Sequence, residues 1–577
     1  MTVSCIPVTV SAEYMPEEEP EYVEGEIVIS SEKPIEDSFG LMGTASVSDD
    51  EAVEIDFEDV GITDIEEVEN YTDEENLYVA EVEGDVEKIC KELNESGDIV
   101  AEPNYILHTC GFTMPTEVTK PASFYTNYQK WYLNDTLHIP EAWQQHEVTG
   151  AGVTIAIIDD GYYVNASDMS QNLWKNSNGT VGWNVHLNND DISPIYQSNG
   201  TAFSNTAHGS NVAGVIGMTP NGSGGIGAAY GATLMLIQAA SYSSDTSNPS
   251  FTSTDIVSAI DYARTNNADI INLSLGTGSN VTSIKNAVDR AYNAGIAIFA
   301  AAGNNGLSTS SQKFYPASLP NVIGVMAIDK DNPSRLASFS NYDVTSSGTY
   351  YNIAAPGCSI LGCGIESGKY TLNNGTSQAT PLAASCAALY LEKYPDATVQ
   401  DLYSDMLASA TDTVTAYNST SYHYKSLNAL KLLDYCIPPE VKANMSTDAV
   451  IDNNRNYFYG LDEGYSDIHD YLTVTNGSMI FKPSANGNGT GSVVEIYKSN
   501  GKLYKTLNII IFGDVNGDCI ADSMDAVIIN GVLSGFGSFT APQRYAADVS
   551  FSNTLGIDDS EIIQNYAIGL DYVSQIR

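Results

Sequence analysis

Basic residues are scarce in this sequence. Its 577 residues include 24 Lys and Arg against 73 Asp and Glu, which gives a formal net charge of −49 at pH 7. Such a chain is repelled by nucleic-acid phosphates and by anionic lipid surfaces, so we expect neither a nucleic acid nor a membrane as a partner. Uncharged apolar runs of about 18 residues are also missing, so no membrane-spanning helix is predicted.

Cysteine and histidine are sparse as well. The eight Cys residues show no dense disulfide spacing, although Cys358 and Cys363 lie five positions apart in a Gly-rich loop and could pair. A zinc site there is not favoured, because no His or second Cys pair follows at a suitable spacing. Among the seven His residues, His208 alone stands in a His-Gly pair at a predicted helix start. The other six lie in polar or loop-like sequence and are predicted surface residues, namely His108, His138, His146, His186, His423 and His469.

The acidic residues are concentrated in the N-terminal segment. Residues 1–110 carry 32 Asp and Glu and three Lys, as in a disordered acidic tail. However, strand-like runs at 26–29 and 78–82, and helical spacing of apolar residues over 85–93, favour a compact α+β unit. Residues 1–12 are apolar and end in small residues but lack a basic start. We interpret them as the remnant of a signal peptide; an ordinary N-terminal strand is the alternative.

The central region, from about residue 150 to 390, alternates apolar strands with Ala-rich helical stretches. Continuous apolar strands separated by helices predict an α/β fold with a doubly wound parallel sheet covered on both faces. In such sheets the catalytic groups lie beyond the carboxyl ends of the strands. The predicted strands are 153–158, 233–237, 269–273, 296–300 and 322–326.

Three polar residues stand at element boundaries in this region. Asp159 closes the first strand, His208 opens one helix, and Ser377 opens another that continues through the Ala-rich 383–391. Taken singly, the Asp is typical of a turn and the Ser of a helix N-cap. Together they are the parts of a nucleophilic serine, because an imidazole must take the hydroxyl proton and a carboxylate must orient the imidazole.

The sequence around these three residues resembles the subtilisin-like serine protease family. The contexts I-D-x-G, H-G-x-x-V-A-G and G-T-S-x-A-T-P occur in the family's order, and the resemblance covers roughly residues 125–436. It implies a subtilisin-like catalytic domain that cleaves protein or peptide substrates without a cofactor for the chemistry. Further matching segments are 274–276, 300–306, 315–317 and 337–341.

The resemblance also implies a role for each matching residue. Ser377 would be the nucleophile, His208 the general base and then acid, and Asp159 its orienting carboxylate. The Asn304 amide and the Ser377 N–H would form the oxyanion hole, where a helix N-terminus favours negative charge. The implied substrate-binding residues are Ser274, Leu275, Gly276, Ala302, Gly303 and Phe314. Of these, Phe314 would lie at the floor of the primary specificity pocket and favour small or medium side chains.

Asp160 departs from the family pattern, which has Ser or Thr after the catalytic Asp. A second carboxylate could raise one carboxyl pKa by repulsion, or it could point away into solvent. Two other functions fit the sequence less well. A non-catalytic binding module on a decayed protease fold conflicts with a complete triad and Asn304. A lipase or esterase conflicts with the absence of a Gly-x-Ser-x-Gly elbow around Ser377.

The segments before the catalytic domain indicate a zymogen. Residues 99–106 resemble the last strand of a subtilisin propeptide, and 128–143 resemble the first segment of a mature enzyme. We therefore divide this part into a signal remnant (1–12), an inhibitor-like α+β prodomain (13–119) and the catalytic domain (120–436), with an unrelated acidic domain as the alternative to the prodomain. Cleavage is expected between residues 105 and 128.

Helical stretches are predicted at 398–410 and 425–435, and two smaller domains are predicted after Pro438-Pro439. Residues 437–510 carry Asn-Gly pairs at 476–477, 486–487 and 500–501, which are hairpin signals, so we expect a small β spacer domain. Residues 511–577 contain two Asp-rich twelve-residue loops, each followed by a helical run, as in calcium loops. This duplication resembles a dockerin, a small helical module that binds the cohesin domain of a scaffoldin. A secreted, extracellular enzyme attached to a scaffold is the implied setting.

The two calcium loops are unequal. In the first, Cys519 occupies the sixth position, where Gly is usual because the turn needs a conformation costly to other residues. In the second, Ser550 and Ser552 replace stronger ligands, so stepwise Ca²⁺ binding with a weaker second loop is expected. The predicted ligands are Asp514, Asn516, Asp518, the Ile520 carbonyl, Asp522 and Asp525, then Asp548, Ser550, Ser552 and Asp559. Cohesin choice would depend on Ser523 and Met524 and on their counterparts Ile557 and Asp558.

Overall fold

The computed structural model falls into two compact units, residues 1–433 and 434–577. The described residues are 21–32, 35–37, 53–55, 60–68, 76–95, 99–109, 112–118, 125–165, 168–169, 171–194, 208–221, 224–241, 249–345, 349–364, 369–435, 438–498 and 501–577. The predicted signal remnant, 1–12, lies outside them. None of the helices in these ranges combines the length and the apolar character of a membrane span.

The N-terminal segment of the first unit builds an antiparallel sheet with a helix packed on it. The central strand pairs with a neighbour on each side, and the helix buries Val86, Ile89, Cys90 and Leu93. The strands and helix expected at 26–29, 78–82 and 85–93 are confirmed. The elements are β1 (Tyr22–Ser31), β2 (Ile35–Asp37), β3 (Val53–Ile55), β4 (Ile62–Glu67), β5 (Asn76–Val82), α1 (Val86–Asn94), β6 (Ile99–Thr109) and β7 (Phe112–Val118).

The rest of the first unit surrounds a nine-stranded sheet. Its strands are β8 (Thr154–Asp159), β9 (Trp183–Asn184), β10 (Thr233–Gln238), β12 (Ile270–Leu273), β14 (Ala297–Ala301), β15 (Val322–Ile328), β16 (Ile353–Pro356), β19 (Asp412–Ala416) and β20 (Ser419–Ser426). The strand order is β19-β20-β16-β15-β14-β12-β8-β10-β9. The chain thus starts in the sheet at β8 and extends to both sides of it, with parallel pairing except at β19. The doubly wound parallel sheet is confirmed.

Helices and short strands complete the unit around this sheet. Two of the helices begin at His208 and at Thr376, the residue before Ser377. The helices are α2 (Lys130–Leu133), α3 (Ile139–His146), α4 (His208–Gly217), α5 (Ser253–Thr265), α6 (Thr282–Asn293), α7 (Thr376–Lys393), α8 (Val399–Ser409) and α9 (Ala429–Tyr435), with a π-helical turn at Tyr125–Gln129 before α2. The short strands are β11 (Phe251–Thr252), β13 (Leu275–Gly276), β17 (Ile360–Cys363) and β18 (Tyr370–Asn374).

Two sequence predictions in this unit are wrong, and one question that the sequence left open is answered. His146 is buried rather than on the surface, because it ends α3 on the side packed against the unit. The Cys363 thiol is not part of a disulfide, so the pairing with Cys358 that the sequence left open is not formed, and both side chains are buried. The helix expected over 425–435 begins only at Ala429, because residues up to Ser426 extend the central sheet as β20.

The second unit combines strands with three helices. The strands are β21 (Glu440–Ala443), β22 (Val450–Asp452), β23 (Tyr457–Tyr459), β24 (Leu472–Thr475), β25 (Gly477–Lys482), β26 (Val493–Lys498) and β27 (Leu503–Ile509), with a 3₁₀ turn at Ile468–Asp470. The helices are α10 (Ser523–Leu533), α11 (Ala541–Ala547) and α12 (Ile557–Ala567). One apolar cluster contains Tyr457 and Tyr459 from the strands together with Ile529 and Ile563 from the helices.

The hairpin predictions in this unit have mixed outcomes. Strands β25, β26 and β27 pair as consecutive antiparallel neighbours, as the Asn-Gly pairs at 486–487 and 500–501 predict. The hairpin expected at 476–477 is wrong, because β24 pairs with β21 and β25 pairs with β26, so this turn joins two different sheets.

Candidate functional site

Asp159 and His208 form a buried hydrogen-bonded pair at the carboxyl edge of the central sheet. Asp159 ends β8, His208 begins α4, and Oδ1 of the first lies 2.7 Å from Nδ1 of the second. Burial lowers the pKa of His208, but the charge and hydrogen bond of Asp159 and the charge of Asp160 outweigh it and raise the pKa. Among the described residues, His208 Nε2 has no hydrogen-bond partner. The pair therefore offers one nitrogen for proton transfer.

Asp160 points into the protein. Its Oδ1 accepts a hydrogen bond of 2.9 Å from the Gly209 backbone N–H, so it holds the first turn of the helix that His208 begins. Burial, followed by the neighbouring charge of Asp159, raises the pKa of Asp160 well above its usual range. The solvated orientation that the sequence left open is wrong, because the side chain is fully buried.

Ser377 lies in the first turn of α7. The residue that caps this helix is Gly375, and it makes no side-chain capping bond, so Ser377 is not an N-cap. Its hydroxyl donates to the Ser274 carbonyl at 3.1 Å, and the Ser274 hydroxyl donates to the Ser377 carbonyl at 2.9 Å. One residue further along, Gln378 Nε2 donates to Asn211 Oδ1 of α4 at 3.5 Å. The helix that carries His208 is thereby linked to the helix that carries Ser377.

Asn304 is held in a fixed orientation beside the start of α7. Its Oδ1 accepts hydrogen bonds from the Thr376 backbone N–H and from the Thr376 hydroxyl, both at 2.9 Å. Because the carbonyl end of the amide is held there, its NH₂ group points the opposite way. The Thr376 hydroxyl oxygen also accepts a hydrogen bond of 3.1 Å from the Gly303 N–H. Thr376 thus orients the predicted oxyanion residue.

Phe314 lies between two glycine-containing segments that were predicted to bind substrate. A Cβ atom built on Gly276 would come within 2.4 Å of the Phe314 ring, and one on Gly303 within 3.0 Å. Gly303 also has a φ of +95°, which disfavours any other residue there. The ring therefore fills the space between Gly276 and Gly303, while Leu275 and Ala302 are buried beside them.

The N-terminal segment pairs with two strands that lie close to Ser377. Strand β6 is antiparallel to β13, with Thr109 opposite Leu275 and His108 opposite Gly276. Strand β7 is antiparallel to β18, with Phe112 opposite Asn374. Leu275 follows Ser274, which contacts Ser377, and Asn374 precedes Ser377 by three residues. Thr109 and Phe112 are therefore both held by strand pairing close to Ser377.

A second set of contacts fixes the N-terminal segment to two helices. The Glu102 carboxylate accepts hydrogen bonds of 2.8 Å from the Thr282 and Ser283 N–H groups at the start of α6. A carboxylate is stabilised there by the unpaired N–H groups and by the helix dipole. Ser253, at the start of α5, donates to the Asn104 side chain at 3.0 Å.

Sequence reasoning missed several of these contacts. Thr376 lies within the G-T-S motif, but its bonds to Asn304 and Gly303 depend on strands distant in sequence. The helix contact of Asp160 and the capping by Glu102 were missed for the same reason. Two features of the sequence could have pointed to these contacts. Asp160 stands where the family has Ser or Thr, and Glu102 is a single acidic residue within a strand that resembles a propeptide strand.

The two predicted calcium loops have the same backbone arrangement. In each, the first Asp accepts from the N–H of position six (Cys519 to Asp514 at 3.1 Å, Asn553 to Asp548 at 3.0 Å). The twelfth residue, Asp525 or Asp559, accepts from the N–H of position nine in both loops. Cys519 has a φ of +74°, so the costly conformation expected at position six is confirmed.

Comparison with known proteins agrees with the geometry of the first unit. The model of the Subtilase family matches residues 150–425. The thermophilic serine proteinase of Bacillus sp. (strain AK1) is 32% identical over 387 residues, 66% of this chain and 82% of that protein. Subtilisin DY of Bacillus licheniformis is 36% identical over 264 residues, 46% of this chain and 85% of that protein. Among solved structures, one of proteases from Pseudoalteromonas arctica PAMC 21717 covers 55% of this chain and 99% of its own, at 24% identity and a TM-score of 0.44.

The first of these relatives is named a serine proteinase and the second a subtilisin. The chain belongs to the subtilase family. It is a subtilisin-like serine endopeptidase with the α/β fold of that family.

Proposed function

We propose that this chain is a secreted protease made as a zymogen, with Ser377 as nucleophile, His208 as general base and Asp159 as its orienting carboxylate. The observation that carries the catalytic assignment is the buried Asp159–His208 hydrogen bond at the sheet edge, together with Ser377 in the first turn of α7. With Nδ1–H bound to Asp159, the imidazole can accept a proton at Nε2. The reaction needs protein or peptide as substrate and no cofactor.

The reaction begins with a movement of the Ser377 hydroxyl from the Ser274 carbonyl towards His208 Nε2. The oxygen then attacks the scissile carbonyl carbon while its proton passes to Nε2, and Asp159 stabilises the imidazolium. The carbonyl oxygen becomes an oxyanion, bound by the Asn304 NH₂ and the Ser377 N–H. His208 gives the proton to the leaving amine, and water releases the acyl group from Ser377 by the same steps in reverse roles.

Labelling with a fluorophosphonate probe distinguishes this enzyme from a binding module on a decayed protease fold. The probe reacts with a serine hydroxyl only where a base activates it. We expect the processed chain to be labelled and its Ser377→Ala variant to remain unlabelled. A correctly folded, processed chain that takes up no label would favour the binding module.

Three contacts support the zymogen proposal. Strand β6 adds to the predicted substrate-binding strand β13, Glu102 caps α6, and Asn104 accepts from Ser253 of α5. A segment paired with a substrate-binding strand excludes substrate by occupying the same backbone donors and acceptors. The N-terminal segment is therefore well placed to inhibit the enzyme until it is removed.

Maturation should cut one of the three peptide bonds between Thr109 and Phe112, because the pairings of β6 and β7 lie close to Ser377. We expect active enzyme to begin at residue 110, 111 or 112, as read by N-terminal sequencing and intact mass. The Ser377→Ala chain should remain full length when expressed alone. If added active enzyme cleaves the Ser377→Ala chain at the same bond, one molecule can process another. If it does not, processing takes place only within a molecule. An active form that begins before Tyr105 would contradict a removable prodomain.

Phe314 should restrict the residue before the cleaved bond to small or medium side chains. The candidates within the chain itself, Thr109, Cys110 and Gly111, are all small. Because one methylene in such a pocket is worth about 1–3 kcal/mol, Phe314→Ala should raise kcat/KM for Phe relative to Ala at this position by at least about tenfold. Peptide substrates that differ only there give the ratio. The control is Tyr292→Ala, since Tyr292 is a half-buried aromatic on the same apolar cluster. A wild-type profile dominated by Phe, Tyr or Leu would contradict the pocket assignment.

The first calcium loop has a donor set that fits Ca²⁺. Asp514 and Asp525 are buried, and Asn516, Asp518 and Asp522 add oxygens at the partly exposed rim. Burial raises the pKa of Asp514 to about 6 and also raises the pKa of Asp525, so a bound cation would favour their charged forms. Calcium, when bound, would order the loop before α10.

Attachment to a cohesin through this module is also part of the proposal. Ser523 and Met524 at the start of α10, and Ile557 and Asp558 at the start of α12, are all exposed. Apolar Met524 and Ile557 at such positions are available to a partner. Because the two pairs differ in chemistry, one binding orientation should dominate. Calorimetry with a panel of cohesins tests the attachment, and binding that ignores calcium would contradict it.

A further inference from the structure

The second loop is occupied by a basic side chain. Arg577 Nη2 donates to Asp548 Oδ2 at 2.6 Å and to Asn553 Oδ1 at 2.8 Å, the side chains of loop positions one and six. Asp548 is buried and the Arg577 side chain nearly so, with 6% and 15% of their surfaces exposed. The guanidinium also lies over the rings of Tyr545 and Phe551, at 4.5 and 5.4 Å from their centres. These contacts hold a positive charge inside the loop.

The other donors of this loop do not compensate for that charge. Asp548 Oδ2 already accepts from both Arg577 and the Asn553 N–H. The Ser552 hydroxyl donates to the Thr554 carbonyl at 2.9 Å, which directs it to the loop's own backbone. Of the loop's two buried carboxylates, Asp559 accepts hydrogen bonds from the Ser550 and Gly556 N–H groups, and a calcium ion would have to share the other, Asp548, with the guanidinium. Two like charges in a partly buried site repel strongly. The second loop therefore does not fit Ca²⁺.

The first loop differs in this respect. In the described part of the chain, no basic side chain forms an ion pair with the carboxylates of Asp514, Asp518, Asp522 or Asp525. It also keeps an amide or a carboxylate at positions three and five, where the second loop has Ser550 and Ser552. The carboxylates of the first loop therefore require a cation from solution, whereas the second loop already contains the guanidinium of Arg577.

The segment around Arg577 is attached at a second point. The Gln575 side chain accepts from the Phe512 N–H at 2.8 Å and donates to the Phe512 carbonyl at 2.9 Å. Phe512 lies two residues before the first loop, and Val573 is buried in the cluster that contains both loop helices. Residues 573–577 therefore join the beginning of the module to its second loop.

We infer that the guanidinium of Arg577, and not calcium, is the cation of the second loop, so that this module binds one calcium ion. The inference rests on the proposed calcium binding only for the first loop. It replaces the weak second site expected from the sequence with a loop stabilised by the chain itself.

Calcium stoichiometry tests the inference on the full chain, carried as Ser377→Ala to prevent autolysis. Calorimetry after chelation should find one bound calcium ion fewer after Asp514→Asn and an unchanged number after Asp548→Asn. Loss of a bound ion after Asp548→Asn would place calcium in the second loop and overturn the inference. An unchanged number after Asp514→Asn would refute calcium binding by the first loop, while the role of Arg577 would be decided by the stability measurement below.

Thermal unfolding tests Arg577 independently of calcium. In chelator, Arg577→Ala should lower the unfolding midpoint of the second unit by at least about 4 °C, since it leaves Asp548 buried without a partner charge. Arg455→Ala is the matched control, because Arg455 lies over the same Tyr545 ring but pairs with Asp452 outside the loop. Equal midpoints for Arg577→Ala and Arg455→Ala would overturn the inference.

A rebuilt loop gives a further readout. Ser550→Asp with Ser552→Asp restores two carboxylates, and adding Arg577→Ala removes the competing charge. We expect a second calcium site in the triple variant, at least about tenfold tighter than in the double variant that keeps Arg577. Equal second-site affinities in these two variants would show that Arg577 does not compete with calcium.

Discussion

The Ser377→Ala chain, freed of its N-terminal segment by added active enzyme, is expected to lose about 10⁶ in kcat; that magnitude is the one known for subtilisin, a relative of this chain. The hydroxyl is the only group at this position that can form the acyl intermediate. The Ser274 carbonyl would lose its contact with Ser377, but the backbone bonds of α7 do not depend on the side chain. A residual rate about 10³–10⁴ above that in water should remain, from the oxyanion hole and substrate binding alone.

Steady-state kinetics on a casein-derived peptide checks this result. The matched control is Ser385→Ala, which removes another buried hydroxyl from the same helix, one that donates to the Pro381 carbonyl at 2.7 Å. That variant should keep the wild-type kcat. Near-normal hydrolysis by Ser377→Ala would remove Ser377 from the mechanism.

The second large effect is expected from Asn304→Ala, which should lower kcat by about 10²–10³ with little change in KM; this range is also the one known for subtilisin. The amide NH₂ meets the substrate oxygen only when it becomes an oxyanion, so its loss affects the transition state and not substrate binding. The two Thr376 donors that hold Asn304 Oδ1 would also lose their acceptor, which is a structural cost of the Ala variant.

Asn304→Asp separates these two consequences. It keeps an oxygen for Thr376 but replaces the NH₂ donor with a second oxygen, so kcat should fall at least as far as in Asn304→Ala. The neighbouring Asn305 is exposed, and Asn305→Ala should keep the wild-type kcat. If Asn304→Asp retained normal kcat, the oxyanion would have to be stabilised without the Asn304 side chain.

The strands of the central sheet were predictable because each is a short, continuous apolar run between helical segments, and such runs have few alternatives. Strand β8 ends one residue later than predicted and strand β15 ends two residues later. Local sequence does not determine where a strand ends. The error at 425–435 has the same origin, since only pairing with β16 and β19 makes residues up to Ser426 a strand.

The candidate active site was predictable in its residue types and not in its contacts. Asp159, His208 and Ser377 each lie in a distinctive local pattern at the end of an element. The position of Asp160 is different, because an Asp after a strand is compatible with solvent or with a buried helix contact. Only the approach of α4 to β8 brings the Gly209 N–H within 2.9 Å of its carboxylate.

The sequence by itself determined the family, the α/β class, the order of the catalytic candidates and the duplication of the Asp-rich loops, because each depends on local patterns of a few residues. The tertiary structure alone decided how Thr376 orients Asn304, how β6 and β7 pair close to Ser377, and that Arg577 enters the second loop. These features join residues that are 24 to more than 160 positions apart, as in the pairing of Thr109 with Leu275. Such contacts depend on the packing of whole elements, which no local pattern specifies.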